Sequence, residues 1–108
     1  MNVVDLLGEP FVTLFIEVLK EFPLAALIDK SLFVVHGGVK DWEMKSIEEE
    51  DRRDPDPARN SVQEEMLWLD PQTGDPHLDE QLHTHHHDIF TLDTFDSFCQ
   101  KNDIQMMI

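Results

Sequence analysis

Hydrophobic spacing near the N-terminus predicts an amphipathic helix from Pro10 to Phe22. Proline at position 10 suits the first turn of a helix, and Pro23 stops the helix because it cannot continue the backbone hydrogen bonds. Apolar residues recur at helical spacing and share one face, namely Phe11, Leu14, Phe15, Val18, Leu19 and Phe22. We therefore expect this segment to present one continuous apolar surface.

Two short apolar runs follow, Leu24–Ile28 and Leu32–Val35, and residues 29–31 separate them. This spacing predicts a β-hairpin. The second run is too continuously apolar for a surface strand, so we expect it to be buried in the protein. It ends abruptly at residues 36–38, a histidine followed by two glycines.

The middle of the chain is polar. In residues 43–61 an acidic run precedes Pro55 and Pro57, which predicts an exposed helix that ends in a loop. Residues 70–76 form a predicted turn, and residues 77–87 form a histidine-rich stretch that we interpret as a surface connection.

The C-terminal part predicts a second amphipathic helix, capped by Thr91 and ending near Asn102, and then a strand at Ile104–Ile108. Its apolar face consists of Leu92, Phe95, Phe98 and Cys99. The order of elements indicates a mixed α/β fold in one domain covering residues 1–108.

The net charge of the chain limits the kinds of molecule that it can bind. The chain of 108 residues carries a formal net charge of −15, with 23 acidic against 8 basic residues. Such a surface repels nucleic-acid phosphates and anionic lipids, so we expect neither nucleic-acid nor membrane binding. The sequence shows neither a signal peptide nor a membrane span, and Cys99 is the only cysteine, so no internal disulfide forms. A cytoplasmic or nuclear location is the expectation.

His36 is the sharpest candidate for chemistry. A histidine after a buried strand, followed by two glycines, lies where the backbone turns tightly and a ligand can approach. Imidazole binds zinc, iron and manganese. The residues leave two interpretations open, a metal ligand or a histidine at a strand end with glycines that serve only the turn.

Three other features favour a structural role over a metal-binding or catalytic one. The cluster His83, His85, His86 and His87 has no spaced partner ligand and indicates a solvated loop, with a histidine-rich metal-binding protein as the alternative. Cys99 is expected to be a small buried hydrophobe rather than a nucleophile. The acidic residues 48–51 lack the alternating oxygens and central glycine of a calcium loop.

Four stretches in register resemble the phosphoprotein phosphatase family of metal-dependent protein serine/threonine phosphatases. Residues 15–28 are similar to its helix and Leu-Pro-Leu-Ala strand, and residues 33–39 to its His-Gly-Gly-Leu signature. Residues 66–71 resemble Leu-Leu-Trp-Ser-Asp-Pro, with leucine in place of serine, and residues 90–108 match the family without a gap. The resemblance covers about residues 12–108 and is nearest to the subfamilies with tetratricopeptide or calcium-binding appendages.

The resemblance implies an incomplete calcineurin-like metallophosphoesterase fold, a two-sheet sandwich flanked by helices, with divergent loops at 43–61 and 77–89. It implies that His36 is a metal ligand and that Trp68 borders the substrate groove. The family hydrolyses phosphoserine and phosphothreonine in proteins with two divalent metals (manganese, iron or zinc) and works with regulatory proteins.

The departures from the family are as informative as the matches. Of the family's ligand motifs only the histidine of His-Gly-Gly is present, and no catalytic residue is assigned. The family's phosphate-binding Arg-Gly falls on Thr84-His85. We therefore expect a fragment of the catalytic domain that holds no metal and is inactive as this chain alone, since one histidine does not hold two metals against water. The alternative is a non-catalytic pseudophosphatase or interaction fragment.

Overall fold

The computed structural model describes residues 2–54, 61–84 and 89–108, which form six helices and five strands. The helices are α1 (Val3–Leu7), α2 (Glu9–Leu19), α3 (Met44–Glu48), α4 (Val62–Trp68), α5 (Pro76–Thr84) and α6 (Leu92–Asn102). The strands are β1 (Ala25–Ile28), β2 (Leu32–Val35), β3 (Asp70–Pro71), β4 (Ile89–Phe90) and β5 (Met106–Met107). The fold is mixed α/β, as predicted.

The predicted hairpin is confirmed. Strands β1 and β2 pair antiparallel from Ala25 opposite Val35 to Ile28 opposite Leu32. Both central residues of the turn have positive φ, 50° at Asp29 and 57° at Lys30. The amide of Ser31 donates to the carbonyl oxygen of Ile28 at 3.1 Å, so residues 28–31 form the mirror-image type I turn, whose twist suits a β-hairpin.

Strand β2 is the centre of the larger sheet, whose order is β1-β2-β5. Its other neighbour, β5, runs parallel to it, with Leu32 opposite Met106. A second sheet consists of the parallel pair β3 and β4, with Asp70 opposite Ile89. The sequence did not predict this pair, because strands of two residues carry no periodicity.

The hydrophobic core lies between β2, α4 and α6. Phe33 of β2 and Phe98 of α6 are both fully buried, and their ring centroids are 5.2 Å apart with the planes tilted by 53°. Met66 of α4 and Val39 fill the space around them. Every element that contributes to this core lies between residues 25 and 107.

Asn102, at the end of α6, holds the loop before α3. Its side-chain oxygen accepts a hydrogen bond of 2.6 Å from the backbone amide of Met44. Its side-chain amide donates to the carbonyl oxygens of Trp42 and Phe98, each at 2.9 Å. The predicted Thr91 cap of α6 is confirmed, since its hydroxyl accepts from the backbone amide of Thr94 at 3.2 Å.

Helix α2 is shorter than predicted, and its apolar face is exposed. The predicted helix from Pro10 to Phe22 begins at Glu9 and ends at Leu19. Phe22 bonds to the carbonyl of Leu19 in a tighter turn, because the following proline restricts it to extended backbone. No residue of α2 is buried.

The prediction of a surface loop was wrong for the first part of the histidine-rich stretch, because helix α5 forms there. Asp75 starts this helix, because its carboxylate accepts from the backbone amide of His77 at 2.9 Å. His85, His86 and His87 lie outside the described residues, as does part of the predicted loop at 43–61. None of the described helices is long and apolar enough to cross a membrane.

Candidate metal and substrate cleft

His36 is the first residue after β2, and the sheet fixes the strand that carries it. Val35 donates its amide to the carbonyl of Ile108 at 2.9 Å, and β1 pairs along the other side of the strand. The His36 side chain is exposed. A rigid strand therefore carries an imidazole that solvent and other groups can reach.

The two glycines after His36 allow the chain to pack closely against α4 and Phe90. The amide of Gly37 donates to the carbonyl oxygen of Met66 at 2.7 Å, and a Cβ at position 37 would lie 2.6 Å from that oxygen. A Cβ at Gly38 would overlap the ring of Phe90. Both glycines are therefore required by the packing of the protein itself.

Helix α4 is held against this turn by an ion pair. Glu65 is only 4% exposed, and its carboxylate binds the ammonium group of Lys40, four residues after His36. A buried carboxylate needs such a partner, because desolvation of an unpaired charge is costly. The pair fixes α4, and with it Trp68, relative to the end of β2.

His36, Gly37 and residues 67–71 line one cleft of about 280 Å³. The sequence named His36 and Trp68 from separate stretches, and the structure brings both to this cleft. The Trp68 side chain is 56% exposed, so its indole forms an open wall. We name this region the His36–Trp68 cleft.

The sequence reasoning missed Asp70, a half-buried residue that also lines the His36–Trp68 cleft. Its signal was weak, because an aspartate before a proline is typical of a turn. Its carboxylate is a hard oxygen donor, so the cleft presents a carboxylate as well as the imidazole of His36. No lysine or arginine lines the cleft, so the described residues offer no fixed cation for a phosphate group.

A second depression, of about 350 Å³, also reaches His36. Residues 23–26, from the end of the α2 segment into β1, line it together with residues 34–36 of β2. Its walls are mainly apolar. His36 therefore lines both the His36–Trp68 cleft and an open apolar groove.

The described residues do not assemble a two-metal centre by themselves. Within residues 2–54, 61–84 and 89–108, no group of three or more His, Cys, Asp and Glu side chains converges. Sites for two divalent metals need several convergent donors. His36 and Asp70 fit such a site only as a part of it.

Cys99 is a packed thiol rather than a reactive one. It lies half-buried on α6 against the core. Burial raises the pKa of the Cys99 thiol, and the carboxylate of Asp96 raises it further. The thiolate is thus disfavoured, and the side chain, which was predicted to be buried, is half-buried.

Comparison with known proteins identifies the fold. The family model for calcineurin-like phosphoesterases matches residues 5–108, and the chain belongs to that family. A solved structure of a protein serine/threonine phosphatase from Saccharomyces cerevisiae, with similarity to human phosphatase PP5, superposes with a TM-score of 0.75 at 24% identity. The superposition covers 94% of this chain and 31% of the yeast chain.

Two curated relatives agree with this assignment. Serine/threonine-protein phosphatase 5 of Arabidopsis thaliana is 40% identical over 72 residues, which span 61% of this chain and 13% of the plant protein. The protein of the same name from Solanum lycopersicum is 40% identical over 72 residues, 61% of this chain and 12% of that protein. The chain thus spans about an eighth of these relatives, and its likeness to a part of a phosphoprotein phosphatase domain is confirmed.

Proposed function

We propose that this chain forms part of the catalytic domain of a protein serine/threonine phosphatase and does not hydrolyse phosphoesters alone. The observation that carries this proposal is the meeting of His36 and Trp68 on one cleft, in a chain of the calcineurin-like phosphoesterase family. In this proposal His36 is one metal ligand, and Trp68 borders the phosphoprotein substrate. The family uses divalent metals, and manganese, iron or zinc would suit the imidazole.

Physical arguments support inactivity of the chain alone. His36 and Asp70 are too few donors for two metals, and among the described residues no cationic side chain lines the cleft. The net charge of −15 further repels a phosphorylated peptide. Activity would need ligands and positive charge from polypeptide outside this sequence, and a regulatory protein is a further proposed partner. We place this function in the cytoplasm or nucleus.

The experiment is to fuse this chain to the part of the Arabidopsis relative that precedes the matched segment. We expect the fusion to bind manganese and to hydrolyse p-nitrophenyl phosphate. His36→Ala should remove metal and activity, whereas replacement of His83, His85, His86 and His87 by alanine should retain both. Retained metal in His36→Ala and lost metal in the cluster variant would overturn this proposal in favour of a histidine-rich metal site.

A pseudophosphatase is the second candidate, and the Thr84-His85 pair favours it. In the family motif an arginine at this position binds the substrate phosphate, and threonine has no charge with which to do so. The test compares the fusion with the same fusion carrying Thr84→Arg and His85→Gly. Turnover that appears only in the second protein supports the pseudophosphatase, and equal turnover in both excludes it.

A further inference from the structure

Two serines of the chain are followed by a glutamate three positions later. Ser46 precedes Glu49, and Ser61 precedes Glu64. Ser46 also precedes an unbroken acidic run, residues 48–51. Protein kinases distinguish their substrates by the pattern of charge around the hydroxyl group. Neither serine takes part in the proposed function, so both are candidates for modification, and the structure distinguishes between them.

Ser61 is occupied at the start of helix α4. Its hydroxyl accepts a hydrogen bond from the backbone amide of Glu64 at 3.3 Å and so caps the helix. The Ser61 side chain is half-buried. The next carboxylate, that of Glu65, is buried and paired with Lys40. A kinase would have to unfold the beginning of α4 before it reached this hydroxyl.

Ser46 lies on the outer side of helix α3. Its side chain is exposed, whereas Met44 and Ile47 of the same helix pack against the hydrophobic core. None of the described residues forms a hydrogen bond with its hydroxyl. The remaining serines, Ser31 and Ser97, are half-buried, and Ser97 donates to a carboxylate at 2.7 Å. Ser46 is therefore the exposed serine of this protein.

The carboxylates that follow Ser46 are open to a partner. Glu48, Glu49 and Asp51 are exposed, and Glu50 is half-buried. Glu49 pairs with Lys45 at 3.7 Å, but both side chains are largely in solvent, where such a pair contributes little. A basic groove on another protein can therefore compete for these carboxylates.

Helix α3 is short enough to open locally. It has five residues, and the side chain of its N-cap residue, Glu43, makes no capping hydrogen bond. A helix of this length is marginal without packing, and local opening costs less free energy than global unfolding. An opened α3 presents residues 45–51 as an extended segment, with the serine first and the carboxylates after it.

We propose that Ser46 is a phosphorylation site for a protein serine kinase with a basic substrate groove, which selects carboxylates on the C-terminal side of the serine. The Ser46 oxygen forms a bond to the γ-phosphorus of the nucleoside triphosphate that the kinase holds, the bond from that phosphorus to the bridging oxygen breaks, and nucleoside diphosphate leaves. A carboxylate of the kinase takes the hydroxyl proton. The product carries about 1.5 to 2 additional negative charges at pH 7. The inference is independent of the proposed function, since Ser46 is not among the residues that line the His36–Trp68 cleft.

The first test incubates the full chain with ATP and a purified kinase of this acid-directed class, and mass spectrometry locates the phosphate. We expect phosphate on Ser46 of the original chain and none at position 46 of Ser46→Ala. Glu49→Gln should lower the initial rate by at least about fivefold, because it removes the carboxylate three positions after the serine. Glu43→Gln is the matched control, since it removes one carboxylate on the other side of Ser46 and should leave the rate unchanged.

The second test asks whether the fold selects the serine. A peptide of residues 41–66 contains both serines without the packing of the protein, and the same kinase should modify it at Ser46 and Ser61. The full chain should be modified at Ser46 and not at Ser61. Phosphate on Ser61 of the full chain, or absence of phosphate on its Ser46, overturns the proposal. Equal rates for Glu49→Gln and Glu43→Gln, or equal modification by a kinase that requires arginine before the serine, also overturn it.

Discussion

The backbone amide of Gly37 donates a 2.7 Å hydrogen bond to the carbonyl oxygen of Met66, and this contact joins the end of β2 to α4. It brings His36 and Trp68 to one cleft although they lie 32 positions apart in the sequence. The contact requires glycine, because any side chain at position 37 would meet the α4 backbone. The geometry of the cleft therefore depends on one small residue.

Gly37→Ala should destabilise the protein by about 1–3 kcal/mol, as overpacking does in a site that cannot relax. The added Cβ would lie 2.6 Å from the Met66 oxygen and 2.8 Å from a carbonyl carbon of Leu67. Urea unfolding measures the loss, and amide exchange in α4 should become faster. Gly74→Ala separates crowding from backbone strain: no atom lies within 4 Å of the added Cβ there, but the φ of 80° disfavours alanine, so a loss of stability in that variant reports strain at position 74 and not a contact with α4.

Asn102→Ala should lower the free energy of unfolding by about 1–3 kcal/mol. The substitution leaves the amide of Met44 and the carbonyl of Trp42 without the partner that Asn102 supplies. Thermal or urea unfolding measures the effect. Gln100→Ala in the same helix changes an exposed side chain and should stay within about 0.5 kcal/mol of the original protein. Equal losses in both variants would contradict the bridging role of Asn102.

Asp41 should contribute stability that depends on pH. Hydrogen bonds from Lys101 and from Ser97, at 2.7 Å each, hold the pKa of the Asp41 carboxyl below its ordinary value. The stabilisation is therefore fully present above the ordinary carboxyl pKa and is lost as the pH falls through the lowered pKa of the folded state. The stability difference between the original chain and Asp41→Asn should shrink over that acid range. Lys101→Gln should reduce the same pH dependence, and parallel curves would contradict this assignment.

Lys30→Gly should stabilise the hairpin by about 1 kcal/mol. Lys30 has φ of 57° in the turn between β1 and β2, a conformation that is unfavourable for a residue with a Cβ. Glycine is the preferred residue at this position of such a turn. Lys30→Ala is the control, because it removes the charge and keeps the Cβ, and it should give no gain. A gain of similar size with alanine would point to charge rather than to backbone conformation.

The sequence predicted the elements that have strong local signals. The β1–β2 hairpin and helix α6 formed where the apolar spacing, the turn residues and the Thr91 cap indicated. Helix α5 was missed, because the Asp75 cap starts a helix whose side chains are mostly polar. The pair of β3 and β4 depends on contacts between distant residues, which no local pattern encodes.

For the candidate site, the sequence identified His36 and Trp68 but not the contacts that bring them to one cleft. His36 was a candidate because it follows a buried strand and precedes two glycines, and the resemblance then favoured a metal ligand; Trp68 came from the resemblance alone. Asp70 was overlooked because its turn signal hid its place in the cleft. The exposure of the apolar face of α2 could not be predicted either, since amphipathic spacing predicts that such a face exists and not whether other residues cover it.

The parallel pairing of β2 with β5 sets the order of events during synthesis on the ribosome. Until Met106 has been synthesised, strand β2 has no strand to pair with on its second side. Until Phe98 has been synthesised, the ring of Phe33 lacks its aromatic partner. Such long-range closure slows folding, because loop entropy is lost before the contacts form. A nascent chain that has emerged only as far as α5 therefore displays the hairpin without its core. Throughout that interval the Leu32–Val35 segment exposes apolar side chains that the finished protein buries in part, and exposed apolar strands of this kind are prone to aggregate.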